Sequence, residues 1–274
     1  MTIRTALAQG SELLGREGIP EPRLTAEVLL SHAIHCDRAY FFAHREQELR
    51  EVEWLHYGRY LDERMKGKPT QYITKRQEFY GREFSVSRDV LIPRPETELL
   101  VETILKLKPK PGILIDIGTG SGAIAVTLSL ELRCHVIATD LSFEALEVAK
   151  SNADKLGANV DFLEADLFKC FGDGVADLVV SNPPYVALAD RESLQREVRD
   201  WEPSLALYGG LSGMCIYKRL IPEARRVLKR GGTLALEIGA GQSEAVSELL
   251  APWCNLRIFP DLAGILRVLV CEKP

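Results

Sequence analysis

Apolar side chains recur every three or four positions through the first 65 residues: Leu7, Leu13 and Leu14, then Leu24, Val28, Leu29 and Ile34, then Leu49, Val52, Leu55 and Leu61. That period marks helices with one face against a core. Gly18-Ile19-Pro20 and Gly67-Lys68-Pro69 interrupt it. The pattern predicts a small helical domain over residues 1–68, close to the size at which a core alone is marginal, with Trp54, Tyr57 and Tyr60 packed inside. From Gln71 to Leu91 the period changes to two. Tyr72-Ile73, Phe79-Tyr80 and Phe84-x-Val86 flank the turn-prone Tyr80-Gly81-Arg82, which predicts a β-hairpin linker over residues 69–92. Pro93-Arg94-Pro95-Glu96-Thr97-Glu98 then opens a helix to about Leu107, with prolines and acids where a helix N-terminus favours them.

Beyond Gly112 apolar runs alternate with amphipathic stretches. Strands are expected at Ile113–Ile117, His135–Thr139, Val160–Leu163, Asp177–Ser181, Thr233–Ile238, Leu256–Phe259 and Leu266–Cys271, and helices at Ala123–Leu132, Phe143–Leu156, Met214–Lys229 and Ser243–Leu250. Such alternation implies an α/β domain over residues 93–274, with a mainly parallel, seven-stranded sheet covered on both faces. Ligands bind such sheets at the carboxyl ends of the strands, where strand order reverses.

Composition narrows the class. With 46% hydrophobic and 27% charged residues, the 274-residue chain has globular composition, not that of a disordered or collagenous one. Six cysteines without a C-x-x-C pair read as reduced thiols, and the chain carries neither a secretory signal nor an apolar run long enough to span a membrane. A soluble, cytoplasmic protein is expected. The net charge of −5 argues against a broad grip on nucleic acid. Arg64, Lys66, Lys68, Lys75, Arg76, Arg82 and Arg88 make a local basic strip conceivable, although a solvated face is the better reading of such a run.

Two motifs carry chemistry. Asp116-Ile117-Gly118-Thr119-Gly120-Ser121-Gly122 joins the first strand of the alternating region to its helix, with glycines where the backbone must turn sharply and approach a ligand. Asp140, at the end of the next strand, is placed to accept hydrogen bonds from ribose hydroxyls. Together they indicate a nucleoside cofactor without saying which, since Gly118-x-Gly120-x-x-Ala123 also fits a dinucleotide fingerprint and hence an NAD-dependent dehydrogenase.

The second motif is Asn182-Pro183-Pro184-Tyr185, at the end of the strand Asp177–Ser181. Two prolines stiffen the loop and remove two amide donors, leaving an acceptor-rich hook. The Asn182 side-chain oxygen and the Pro183 carbonyl can each accept one N–H of a planar NH₂ group, with Tyr185 packing against that group. Holding both N–H bonds makes a delocalised nitrogen a better nucleophile as positive charge develops on it. A sulfonium methyl is the matching electrophile, and such a transfer calls for no metal.

Taken together, these residues resemble a class I S-adenosylmethionine-dependent methyltransferase with its Rossmann-like domain. More narrowly the chain is similar to the HemK/PrmC family. The resemblance spans nearly the whole chain and rests on Gln71-Tyr72-Ile73, Glu78-Phe79-Tyr80-Gly81, Val90 to Glu98, Asp116 to Gly122, Asp140, Asp166-Leu167-Phe168 and Ser181 to Tyr185. It implies transfer of methyl from S-adenosylmethionine to the side-chain N5 of the glutamine in the Gly-Gly-Gln motif of peptide chain release factors, supporting translation termination. It further implies that Gly118, Thr119, Gly120, Ser121 and Gly122 surround the methionine part of the cofactor, that Asp140 holds the ribose with Leu141 also bordering the cofactor, and that Asp166, Leu167 and Phe168 meet the adenine. Phe168 either stacks on that ring or belongs to the core. Asn182, Pro183, Pro184 and Tyr185 would take the substrate, Asn182 also bordering the cofactor, and Arg94-Pro95-Glu96 would close over it. In Gly209-Gly210-Leu211-Ser212-Gly213 the family more often has Asp where Ser212 stands. The rival reading is a nucleic-acid amine methyltransferase acting on adenine N6 or guanine N2, which present the same NH₂ geometry. The helical domain is expected to dock the protein substrate, with no membrane contact, no direct nucleic-acid partner and a monomeric state.

Overall fold

The computed structural model describes residues 1–109 and 111–274. They form two compact units, one of Met1–Arg76 with Gln195–Trp201, the other of Gln77–Leu194 with Glu202–Pro274. Among the described residues no helix is long and apolar enough to cross a membrane.

In the first unit the helices Ile3–Arg16, Pro22–Ile34 and Glu51–Met65 enclose Ile3, Leu7, Leu14, Leu29, Leu30, Tyr57 and Leu61. Thr2 caps the first helix by accepting the Thr5 N–H, satisfying one donor that the helix leaves free. Tyr57 is fully buried, whereas Trp54 and Tyr60 only flank the core. Gln71-Tyr72-Ile73, expected to be extended, lies instead in the helical turn Thr70–Thr74. Tyr72 and Ile73 are both buried, and consecutive side chains of a strand would point to opposite faces. The basic strip is largely neutralised: buried Arg64 pairs with Glu197, Lys66 with Asp62, Lys68 with Glu63 and Arg82 with Glu131.

The second unit holds all but the first residue of a hairpin, β1 (Arg76–Phe79) and β2 (Arg82–Ser85), and a seven-stranded sheet: β3 (Leu114–Ile117), β4 (Val136–Asp140), β5 (Val160–Glu164), β6 (Ala176–Ser181), β7 (Leu228–Glu237), β8 (Cys254–Pro260) and β9 (Leu266–Glu272). The spatial order is β5-β4-β3-β6-β7-β9-β8. The first five of these pair in parallel, and β9 runs antiparallel to both β7 and β8. The chain steps outward from β3 through β4 to β5, then returns to the other side of β3 with β6, so strand order reverses between β3 and β6. Every residue of β3 is buried, as a central strand with both faces covered requires. One core layer gathers Leu100, Ile104, Val126 and Leu128 with Phe79 and Phe84 of the hairpin. The other gathers Tyr217, Leu220, Ile221 and Val227 with Val246.

One polar side chain fastens the hairpin to the sheet domain. Asn152, wholly buried in the helix Phe143–Leu156, accepts the Ser85 N–H at 2.7 Å and donates to the Ser85 carbonyl at 3.0 Å and the Ser121 carbonyl at 2.9 Å. Asn152→Ala strands these three backbone groups, and the expected loss is about 2–3 kcal/mol of unfolding free energy, read as a lower urea midpoint at unchanged slope.

Candidate functional site

The site is built where strand order reverses. Ile117, the last residue of β3, is the register partner of Ser181, the last of β6, so the loops that follow start side by side. The Ser181 hydroxyl donates to the Ile117 carbonyl at 2.7 Å and ties the two exits together. Gly118-Thr119-Gly120-Ser121-Gly122 follows one strand and Asn182-Pro183-Pro184-Tyr185 the other.

The glycine turn is held by its neighbours. Gly118 and Thr119 N–H groups both donate to the Thr139 carbonyl, and the Gly120 N–H donates to Asp140 Oδ2 at 2.9 Å. Asp140 Oδ1 accepts the Ser142 N–H at 2.9 Å, so one carboxylate braces two loops. Gly122 stands at φ +81°, and a Cβ there would lie 3.1 Å from the Ala149 Cβ and 3.2 Å from its Cα. Helix packing at this point therefore requires glycine.

Asn182-Pro183-Pro184-Tyr185 is backed from behind. Gln242 Nε2 donates to the Tyr185 carbonyl at 2.9 Å, and the Gly209 N–H donates to the Val186 carbonyl. A Cβ on Gly213 would fall 2.3 Å from the Tyr185 carbonyl oxygen, so the segment Gly209–Gly213 can seat against the hook only because it carries glycine there. Ser212 does not disturb that packing. In front, Asn182 Nδ2 donates to Thr97 Oγ1 at 3.1 Å, which leaves the amide oxygen as the free end of that side chain.

Both loops open into one cavity of about 390 Å³, a size that encloses small-molecule ligands. Gly118, Gly120, Asp140, Leu141, Asp166, Leu167, Asn182, Pro183 and Pro184 line it. Thr119, Ser121 and Gly122 do not: Thr119 is buried with its hydroxyl on Asp116 Oδ2 at 2.7 Å, and Ser121 is buried with its carbonyl on Asn152. These three shape the turn and do not face the cavity.

Of the two readings left open for Phe168, the structure takes the core: the ring is fully buried, edge-on to Phe171, and cannot stack on a ligand in this cavity, while Leu167, held at φ +53°, is the wall residue. Tyr185 likewise turns away, packing on the core and donating its hydroxyl to Glu237 Oε1 at 3.2 Å. Arg94 is held by buried Glu202, which also accepts the Ile92 N–H, and the wall is contributed by Arg88 to Leu91 rather than by Arg94 to Glu96.

Two buried carboxyls flank the site. Asp116 has a pKa pushed up to about 7 by burial and by the nearby Asp140 charge, against the Thr119 hydrogen bond, and its Oδ1 has no partner. Glu237 is raised to about 6 by burial, opposed by the Thr97 and Tyr185 hydroxyls and the Arg267 charge. Beside the cavity floor Asp166 is held well below the usual carboxylate range by Lys169 and Arg219, the latter at 2.7 and 2.8 Å.

Arg219 and Leu205 were not singled out by the sequence reading, and Thr97 figured only as part of the helix start Pro93–Glu98; Glu237-Ile238-Gly239 resembles the family's strand end, with no role beyond shaping the pocket floor legible in it.

Residues 5–74 match the family profile described as PrmC N-terminal domain, and residues 95–199 the one described as Methyltransferase small domain. The release factor glutamine methyltransferase of Koribacter versatilis is 46% identical over 278 residues, covering 100% of this chain and 99% of that protein. The protein of the same name from Geobacter sulfurreducens is 40% identical over 270 residues, covering 97% and 95%. Among solved structures, a methyltransferase from Pyrococcus furiosus superposes with a TM-score of 0.56 over 74% of this chain and 93% of its own, at 21% identity, a likeness of fold. Sequence identity sustained through both units, on top of the paired loops at the strand ends, shows that the chain belongs to the release factor glutamine methyltransferase family.

Proposed function

We propose that this protein transfers a methyl group from S-adenosylmethionine to the side-chain N5 of the glutamine in the Gly-Gly-Gln motif of peptide chain release factors. The observation that carries this reading is the pair of acceptors on Asn182-Pro183, opening into the cavity that the glycine turn also lines, in a chain of that family.

The residues present fit the cofactor. Gly118 and Gly120 face the cavity with open space where a Cβ would stand, so side chains there would take up ligand volume. Asp140 faces the same space, and its two oxygens retain lone pairs after bracing Gly120 and Ser142. Behind the turn, and not itself a lining residue, Asp116 is a buried carboxyl with an orphaned oxygen, so a positive charge bound in the cavity would favour its ionised form through the field alone. Leu141 and Leu167 give apolar walls. S-adenosylmethionine bound there supplies an electrophilic methyl carbon on a sulfonium.

The chain's own work is positioning. Asn182 Oδ1 and the Pro183 carbonyl accept the two N–H bonds of the substrate amide, fix its plane and favour the positive charge that grows on nitrogen during the transfer. Two prolines and the Gly209–Gly213 backing keep these oxygens from moving with the substrate. No side chain is assigned as a base. Docking of the protein substrate is given to the N-terminal unit, where Phe42, Val52 and Leu55 are exposed, and the protein is taken to act as a monomer.

The direct test is incubation with methyl-labelled S-adenosylmethionine and a release factor. Label is expected in the factor and is lost when its motif glutamine becomes alanine, while unmodified RNA and DNA take none. Asn182→Ala should lower kcat about 100-fold with cofactor affinity within about twofold, because the lost acceptor serves the transition state. Asp140→Ala should weaken cofactor binding about 10- to 100-fold instead, read by calorimetry. Exchanged phenotypes would refute this division of roles.

A pH effect follows from Asp116. Burial keeps this carboxyl protonated below about 7, and a cationic ligand favours the ionised form, so affinity for S-adenosylmethionine should climb from pH 5.5 to 7 and level off above. Calorimetry across that window checks it, and Asp116→Asn should flatten the climb.

A further inference from the structure

We propose that Arg219 is a positioning residue that sets the base preference of the cofactor site: it clamps the Asp166 carboxylate so that this end of the cavity takes a base presenting an exocyclic amine and refuses one presenting a carbonyl. The inference rests on the function proposed above and extends it to a side chain that acts through another.

The strand ends lay the cavity out in order. β3, β4 and β5 are neighbours in the sheet, and their carboxyl ends bring Gly118 and Gly120, then Asp140, then Asp166 and Leu167 to the cavity. The Ala165 N–H donates to the Asp140 backbone carbonyl at 2.9 Å, which ties the last two ends together. Strands lie about 5 Å apart, so the chain carrying Asp166 leaves the sheet one spacing beyond Asp140 and about 10 Å from the glycine turn. With the ribose on Asp140, the strand end left for the base is that of β5.

The walls there suit a flat ring. The helix Cys215–Val227 turns Ile216, Arg219 and Leu220 to the cavity, a spacing of three and four that puts them on one face. Leu205 and Ala206 line it as well. Among these side chains only Asp166 and Arg219 are polar, so they decide which hydrogen-bonding pattern is accepted.

Arg219 Nη2 stands 2.7 Å from Asp166 Oδ1 and 2.8 Å from Oδ2. Lys169 Nζ adds a contact of 2.8 Å to Oδ2. Arg219, bearing on both oxygens, fixes where the carboxylate points, and Lys169, bearing on one, fixes which oxygen is left over. Oδ2 thus meets two cations and Oδ1 one, which leaves Oδ1 the lone pair to offer a ligand. Lys169 and Arg219 also hold this carboxyl well below the usual carboxylate range, and an ionised carboxylate only accepts. The two cations are not equivalent, since Lys169 is 68% exposed and does not line the cavity, whereas Arg219 does.

Folding gives no reason for this clamp. An ion pair whose arginine is 48% exposed adds little to stability. At the cavity it has a use. A 6-aminopurine gives an N–H to the free oxygen, whereas a 6-oxopurine sets its carbonyl oxygen against the anion and leaves two acceptors without a donor.

The test is calorimetric binding of S-adenosylhomocysteine and of its inosine counterpart, in which the 6-amino group is a carbonyl, to wild type, Arg219→Met, Asp166→Asn and the double variant. Wild type should bind the adenosine ligand about 10- to 100-fold more tightly than the inosine one. Arg219→Met keeps an apolar stem against the wall and should lower affinity for the adenosine ligand about tenfold, with the inosine ligand within about twofold, so the preference shrinks. Asp166→Asn should abolish the preference, because an amide can turn its NH₂ group to a carbonyl, and adding Arg219→Met to it should cost nothing further. The ratio of the two affinities is untouched by a loss of folded protein, which lowers the number of sites and not their choice. The proposal is overturned by a wild type without preference, its guanidinium serving the carbonyl, by no loss or an equal loss for both ligands in Arg219→Met, or by a further loss in the double variant. A wild type that binds neither ligand would sink the cofactor reading as well, and one that shows the preference but labels no release factor would sink the proposed acceptor alone.

Discussion

Parallel pairing of β3 with β6 sets the distance between the two halves of the chemistry. Because Ile117 and Ser181 are register partners and end their strands together, the glycine turn and Asn182 leave the sheet one strand spacing apart, about 5 Å. The bond from the Ser181 hydroxyl to the Ile117 carbonyl keeps that spacing at the point where ladder bonding stops. A single intervening strand would double the gap and leave an amide held by Asn182 out of reach of a ligand on the glycine turn. The reversal of strand order at this place is therefore more than a topological convenience, since it puts two loops from distant parts of the chain at one end of adjacent strands.

Around that junction, acidic side chains are used mainly to hold backbone. Asp140 braces Gly120 and Ser142, and Glu202 fixes Ile92 and Arg94. Each is attached to rigid structure and takes up N–H groups that would otherwise compete for the ligand. The consequence is a site whose acceptors are already aimed before a substrate arrives, which is where such a transfer gains its rate.

The sheet, its order around β3 and the two loops were legible because each has a local signature: four to six apolar residues, then glycines or prolines where the backbone needs them. Gly118, Gly120, Asp140, Asn182 and Pro183, named from those signatures, all line the cavity. Tyr185 was expected against the substrate, and Phe168 was left open between ligand and core, because a short motif says that an aromatic side chain is present, not on which side of a loop it will lie. Leu167 at positive φ turns the chain so that Phe168 enters the core. The role of Thr97, which figured only as part of a helix start, was not legible because its contact with Asn182 is made by tertiary structure across 85 residues. The helical turn Thr70–Thr74 was misread because Tyr72 and Ile73 look alternately placed until both are seen to be buried.

The short stretch Gln195–Trp201 belongs to the N-terminal unit although more than a hundred residues of the other unit precede it. Within its own unit, Glu197 neutralises the buried Arg64, Arg196 donates to the Lys66 carbonyl, and Trp201 receives the Lys68 ammonium over its ring. The helical unit is thus not a detachable prefix. Cutting the polypeptide after Arg76 would strip Arg64 of its countercharge on one fragment and leave Trp201 without its cation on the other, so neither piece would reproduce the unit it came from. Grafting experiments between relatives have to move this internal patch together with the amino-terminal helices, or they exchange only part of a module.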